Sequence, residues 1–138
     1  MNGQEYVPGE LIYFARTIDP SINNVELLPI SDAHRGNPLF SPKHFQRTIA
    51  YLTNTPNAYC FLNGDLNEAA IRTSKGDLFN QVGTPQDQRD WMIAQLTPIK
   101  NKILGMTTGN HENRIYNDTG IDISKDIAQA LGIPYRPE

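Results

Sequence analysis

Cysteine is nearly absent from this 138-residue sequence: the single Cys60 rules out an internal disulfide. It lies in Ala58-Tyr59-Cys60-Phe61-Leu62, where a small buried hydrophobe is the expected role. No apolar run approaches the roughly 20 residues needed to cross a bilayer. Met1 to Glu10 lacks the basic start and the apolar core of a signal peptide, so a reducing cytoplasm is the expected compartment. Positive charge is also not in excess. Twelve Lys and Arg against fifteen Asp and Glu give a formal charge of −3, with no electrostatic footprint for nucleic acid and no basic face for a membrane. Histidine is scarce, at His34, His44 and His111 only. There is no internal repeat and no low-complexity block. The 38% hydrophobic content, with ten glycines and ten prolines, fits one folded domain with many turns.

Residues 1–24 read as a lead-in, with an apolar patch at Leu11 to Ala15 that periodicity assigns to neither strand nor helix. From Val25 the pattern sharpens into one domain, 25–138. Val25 to Ile30 reads as a strand, and Ser41-Pro42 opens a helix to about Thr53 with Phe45, Ile49 and Leu52 on one face. Ala58 to Leu62 is a second strand. A looser loop is expected over Leu66 to Gly83. Thr84-Pro85 starts a second helix with Trp91, Met92, Leu96 and Ile99 as its stripe, bent or ended by Pro98. Lys102 to Thr107 is a third strand, and Ser124 to Leu131 a last helix stopped by Gly132. Strands alternating with helices predict an α/β fold with a parallel sheet, whose ligands collect where the strands' carboxyl ends open into loops.

Three polar clusters fall at those ends. Asp32-Ala33-His34 puts a carboxylate and an imidazole two residues apart, on the same side of an extended segment. Alone it is a weak signal, and a polar turn is the simpler reading. Gly64-Asp65 combines a tight exit with an acid that is either a ligand or a helix cap. Gly109-Asn110-His111-Glu112 adds an amide oxygen suited to a hard cation and an imidazole that can ligate or move a proton.

In this order, over about residues 25–115, these blocks resemble the calcineurin-like metallophosphoesterases. The resemblance implies a β-sandwich flanked by helices and a two-metal site that hydrolyses phosphomonoesters or phosphodiesters. Asp32 and His34 would hold the first divalent ion, Asp65 would bridge both, and Asn110 would bind the second. His111 would contact the substrate phosphate and protonate the leaving oxygen, with Glu68 as the acid paired to it. Arg35 and Arg114 flank the motif loops as candidate phosphate contacts. Donors of oxygen and nitrogen without thiolate suit manganese, iron, zinc or magnesium alike.

The sequence departs from the family in one respect. The family's later histidines have no counterpart, because none follows His111. Asp118, Asp122 and Asp126 read as turn and helix-surface residues, not substitute ligands, and His44 as an exposed helix residue. The expectation is therefore the N-terminal portion of such a domain, incomplete by itself, with a second copy or another chain as a possible complement. The rival reading is a non-catalytic protein-binding module of the same ancestry.

Overall fold

A computed structural model describes residues 14–74 and 78–137. Leu11 to Tyr13 and the N-terminal ten residues lie outside them; Phe14, the next residue of the apolar patch, is exposed. The elements run β1 (Glu26–Ile30), α1 (Pro42–Asn54), β2 (Ala58–Asn63), α2 (Pro85–Leu96), a 3-10 segment (Thr97–Lys102), β3 (Ile103–Thr107), α3 (Asn110–Thr119), α4 (Ile123–Leu131) and β4 (Tyr135–Arg136). The strands form one parallel sheet in the order β1-β2-β3-β4. The fold is thus α/β with helical crossovers, as alternating patterns predict.

Local chemistry explains most of the boundaries. Ser41 caps α1 by accepting from the His44 amide at 3.3 Å, and Pro42 takes the first helical position. Thr84 and Asp87 form a reciprocal capping box at α2. Pro98 does not end the chain's helical path; it tightens it into the 3-10 segment, since proline is tolerated at the start of such a turn. Two elements are absent from the sequence reading. One is α3, which starts inside the Gly-Asn-His-Glu block; the other is the short β4.

Alternation along the strands gives the sheet two unlike faces. Ile30, Cys60, Leu62, Ile103 and Met106 are buried in one cluster with Phe45, Ile49 and Leu52 of α1, Met92 and Leu96 of α2, and Ile127 and Leu131 of α4. The expected apolar faces of α1 and α2 are therefore the observed ones, with Trp91 half-buried against them. Leu27, Pro29, Tyr59 and Phe61 alternate with the buried set, and Leu27 is 58% exposed. This second face is apolar: Leu27 and Pro29 are exposed, Tyr59 and Phe61 half-buried, and none of the four belongs to the core cluster.

Cys60 sits on the covered face, fully buried. Burial pushes its thiol up to about 12 from the usual 9.0, with the Lys102 charge pulling weakly the other way. The folded value lies above the unfolded one, so the stability tied to the neutral thiol is complete below pH 9 and is lost as pH rises through about 12. At pH 8, alkylation of native Cys60 should run about a thousand-fold slower than that of an unfolded thiol, and mass spectrometry of iodoacetamide-treated protein checks this.

Candidate metal centre

The loops leaving β1 and β2 are laced together by their backbones. The Asp32 amide donates to the Gly64 carbonyl at 3.3 Å, His34 to Asp65 at 3.0 Å and Arg35 to Leu66 at 2.8 Å; Glu68 returns a bond to the Arg35 carbonyl at 2.9 Å. Parallel neighbours in register therefore carry their pairing past the sheet, and Asp32, His34, Asp65 and Glu68 arrive side by side.

This lacing imposes strain. Asp32, His34, Asp65 and Ala69 all have left-handed backbones, with φ of 54°, 50°, 50° and 47°. Each such residue costs on the order of 1–2 kcal/mol. Three of the four are candidate ligands, and strain held in place by its surroundings is a common mark of functional loops.

The third loop enters through a close backbone approach. A Cβ on Gly64 would stand 2.4 Å from the Gly109 amide nitrogen, and one on Gly109 would stand 2.1 Å from the Asp65 nitrogen. Only glycine permits this contact. It brings Asp65 Oδ1 within 2.8 Å of the His111 amide, so Asp65 caps the N-terminus of α3. The capping role and the ligand role left open by the sequence are thus compatible: one carboxylate oxygen is occupied by the helix.

Glu112 was not singled out from the sequence. It is 1% exposed, and its carboxylate accepts from the Asp65 amide at 3.0 Å and the Asn67 amide at 2.8 Å. Burial pushes this carboxyl up; the Asn67 amide opposes the shift, and the Asp65 charge adds to it. No spacing rule reveals the role, because Glu112 reaches backbone 45 and 47 residues away. Gln88 is a second organiser that the sequence reading missed. Fully buried on α2, it accepts from the Ala69 amide at 2.8 Å and donates to the Gly83 carbonyl at 3.1 Å. Gln81 clamps Ala70 similarly, accepting from its amide at 2.6 Å. These side chains satisfy the amides of Asn67, Ala69 and Ala70, and Leu66 to Ala70 are all buried, so the expected loose loop is firmly packed over its first five residues.

Two groups of potential ligands result: Asp32, His34 and Asp65, and His34, Glu68 and His111. In each, one ligand atom per residue lies within 4.8 Å of the others. The His34 and His111 rings meet edge to face with centroids 4.4 Å apart. Nδ1 of His111 donates to the Glu68 carbonyl at 2.9 Å, which leaves Nε2 free to act as ligand or proton carrier. A cleft of about 310 Å³ has Asp32, His34, Asn37, Glu68 and His111 as its polar wall and Leu39 and Phe40 among its apolar lining, and the Asn37 amide donates to Glu68 Oε2 at 3.4 Å. A larger hollow of about 700 Å³, lined by residues of the 70–73 and 78–87 stretches with Asp118 and Thr119, contains none of Asp32, His34, Asp65, Glu68, Asn110 and His111.

The donor set suits a divalent cation. Asp32 and Asp65 lie together beside His34, and Glu68 joins them through the two imidazoles; among the described residues neither lysine nor arginine pairs with these carboxylates, whose side-chain neighbours are His34, His111, the Asn37 amide and the Ser31 hydroxyl. A nearby cation relieves such convergence. Oxygen and imidazole nitrogen without thiolate match manganese, iron, zinc or magnesium; Cys60 is held in the core.

The remaining candidates are placed less centrally. Asn110 stands exposed at the first position of α3, beside His111. Arg35 turns from the cleft: its guanidinium lies 5.0 Å from the Trp91 ring centre and 5.7 Å from that of Phe40, and it does not line the cleft. Arg114, half-buried on α3, does not line it either, and its Nη1 is buried without a hydrogen-bond partner. Asp122 caps α4, accepting from the Lys125 amide at 2.9 Å, and Asp126 pairs with Arg89 at 3.2 Å. Asp118, a helix residue and not a turn residue, accepts from the Thr73 hydroxyl. His44 is exposed.

A scan of the chain against models of known protein families finds no match, and a search of the curated proteins finds none. Among the described residues, no helix is long and apolar enough to cross a membrane.

Proposed function

We propose that this chain is the N-terminal, by itself incomplete, portion of a metal-dependent phosphoesterase domain of the calcineurin-like type, whose completed form hydrolyses a phosphomonoester or phosphodiester. The observation that carries the reading is that three strand-end loops bring Asp32, His34 and Asp65, and His34, Glu68 and His111, into two adjoining groups that share His34, with Asp32, His34 and Asp65 on strained backbone. Asp32, His34 and Asp65 would hold a first cation, with Asp65 and Asn110 reaching a second. The bound ions would polarise the ester and lower the pKa of the attacking water. His111, with Nδ1–H held by the Glu68 carbonyl, would contact the phosphate through Nε2 and, in its imidazolium form, give the Nε2 proton to the leaving oxygen, returning to the neutral ring. Arg35 would join phosphate binding only by leaving Trp91; Arg114 keeps that assignment on its place in α3 alone.

The apolar second face of the sheet supports the finer fold reading, a β-sandwich. Leu27, Pro29, Tyr59 and Phe61 are the surface that a second sheet covers in such an architecture. The same face also favours the rival reading, a non-catalytic module that uses it to bind another chain, be it a second copy or a different partner.

Hydrolysis of a chromogenic diester and monoester with manganese separates the two. The expected result is manganese-dependent turnover that His111→Gln loses. Manganese should also raise the Tm by several degrees at a large excess over its Kd. Asp65→Asn keeps an oxygen for capping α3 and should abolish that rise. A metal-induced rise without turnover would favour the non-catalytic module, and neither response would sink the site reading.

A further inference from the structure

We propose that the Glu68 carboxylate is a positioning residue for the cation site, selecting the tautomer of His34 that leaves the Nε2 lone pair, on the Asp32 side of the ring, for the cation. The inference rests on the metal-site reading above and assigns Glu68 a different task from the one the family resemblance implies.

His34 is the one residue common to both groups of potential ligands. Its Nε2 lies 3.8 Å from Asp32 Oδ1, and its Nδ1 lies 3.3 Å from Glu68 Oε2. A neutral imidazole has one proton and one lone pair, so it serves one side as donor and the other as ligand. The neighbour at Nδ1 decides which. That nitrogen is buried and lacks a hydrogen-bond partner. The Glu68 oxygen is close enough but out of line, and a small rotation of ring or carboxylate on cation binding brings it into line. Glu68 is 8% exposed, which strengthens a charge-assisted bond to Nδ1–H.

His111 has less need of this carboxylate. Its Nδ1 already donates to the Glu68 main-chain carbonyl at 2.9 Å, whereas the Glu68 carboxylate stands off, with Oε1 at 3.8 Å. One residue thus orients both rings by different atoms: the carbonyl sets His111 and the carboxylate sets His34. A carboxylate behind a ligating imidazole fixes its ring and raises its basicity, and loss of such a partner typically costs roughly 10- to 100-fold in metal affinity.

The test is calorimetric titration with zinc of the whole chain, of Glu68→Gln and of Asp65→Asn, together with ¹⁵N NMR of the imidazoles in the zinc-loaded protein. The expected result is a zinc signal at His34 Nε2 with a proton on Nδ1, and an affinity roughly 10- to 100-fold lower in Glu68→Gln. Unchanged affinity in Glu68→Gln would overturn the proposal. So would zinc on His34 Nδ1, which would place the ion among His34, Glu68 and His111. If Glu68→Gln does not fold, the tautomer in the unsubstituted protein decides. Zinc binding that is absent, or indifferent to Asp65→Asn, would instead sink the site reading itself.

Discussion

Gly109→Ala should unfold or severely destabilise the chain, by about 3 kcal/mol or more, at the upper end of overpacking costs. The added methyl would lie 2.1 Å from the Asp65 nitrogen and 2.2 Å from Asp65 Oδ1. The obstacle is backbone, not the tip of a flexible side chain, so relief requires the β2 and β3 loops to part. Backbone strain at residue 109 itself plays no part, because its φ of −108° suits any residue. Parting the loops would also pull Asp65 from the His111 amide and disperse the candidate ligands. Gly105→Ala is the matched control. Its methyl meets the Phe61 ring at 2.9 Å, and that ring lies half-buried on the second face of the sheet where it can turn. Thermal melts of both variants check the prediction: a Gly109→Ala Tm close to that of Gly105→Ala would show that the loop approach is not tight.

Glu112→Ala is the second large effect expected. Its carboxylate alone satisfies the buried amides of Asp65 and Asn67. An orphaned buried donor costs about 1–3 kcal/mol, so the two together predict a loss of roughly 2–6 kcal/mol. A fall in Tm of the order of 10 °C follows for a domain of this size. Glu112→Gln keeps one acceptor and should fall between the two. The raised carboxyl of Glu112 shows what the buried charge costs, yet the two amide bonds repay it in geometry: they hold Asp65 at its left-handed φ. Glu112→Ala should therefore weaken manganese binding even where the fold survives. Urea melts with and without manganese measure both effects, and a near-neutral Glu112→Ala would mean that water replaces the carboxylate.

Much of this architecture was legible before any coordinates. The cap-and-proline pairs at Ser41-Pro42 and Thr84-Pro85 placed α1 and α2, because capping acts within one turn of chain. The buried runs at Ala58 and Ile103 identified inner strands, since a parallel sheet buries near-continuous apolar stretches. Helix α3 escaped notice for a physical reason. Its first turn is Asn-His-Glu-Asn, polar and poor in helix formers, and its Gly109 cap makes no side-chain bond. Asp65, far back in the chain, supplies the acceptor. The two-residue β4 is set only by pairing with β3.

The candidate site divides along the same line. By itself the sequence determined which side chains could serve: their donor types, their order, and their position at the carboxyl ends of strands. It also determined that the chain has no histidine beyond His111. Tertiary structure alone decided how they meet. It laced the β1 and β2 loops, pressed Gly64 against Gly109, buried Glu112 beneath Asp65, and turned Arg35 onto Trp91. Those contacts join residues far apart in sequence, and their energies depend on burial and angle, which no local pattern of residues encodes.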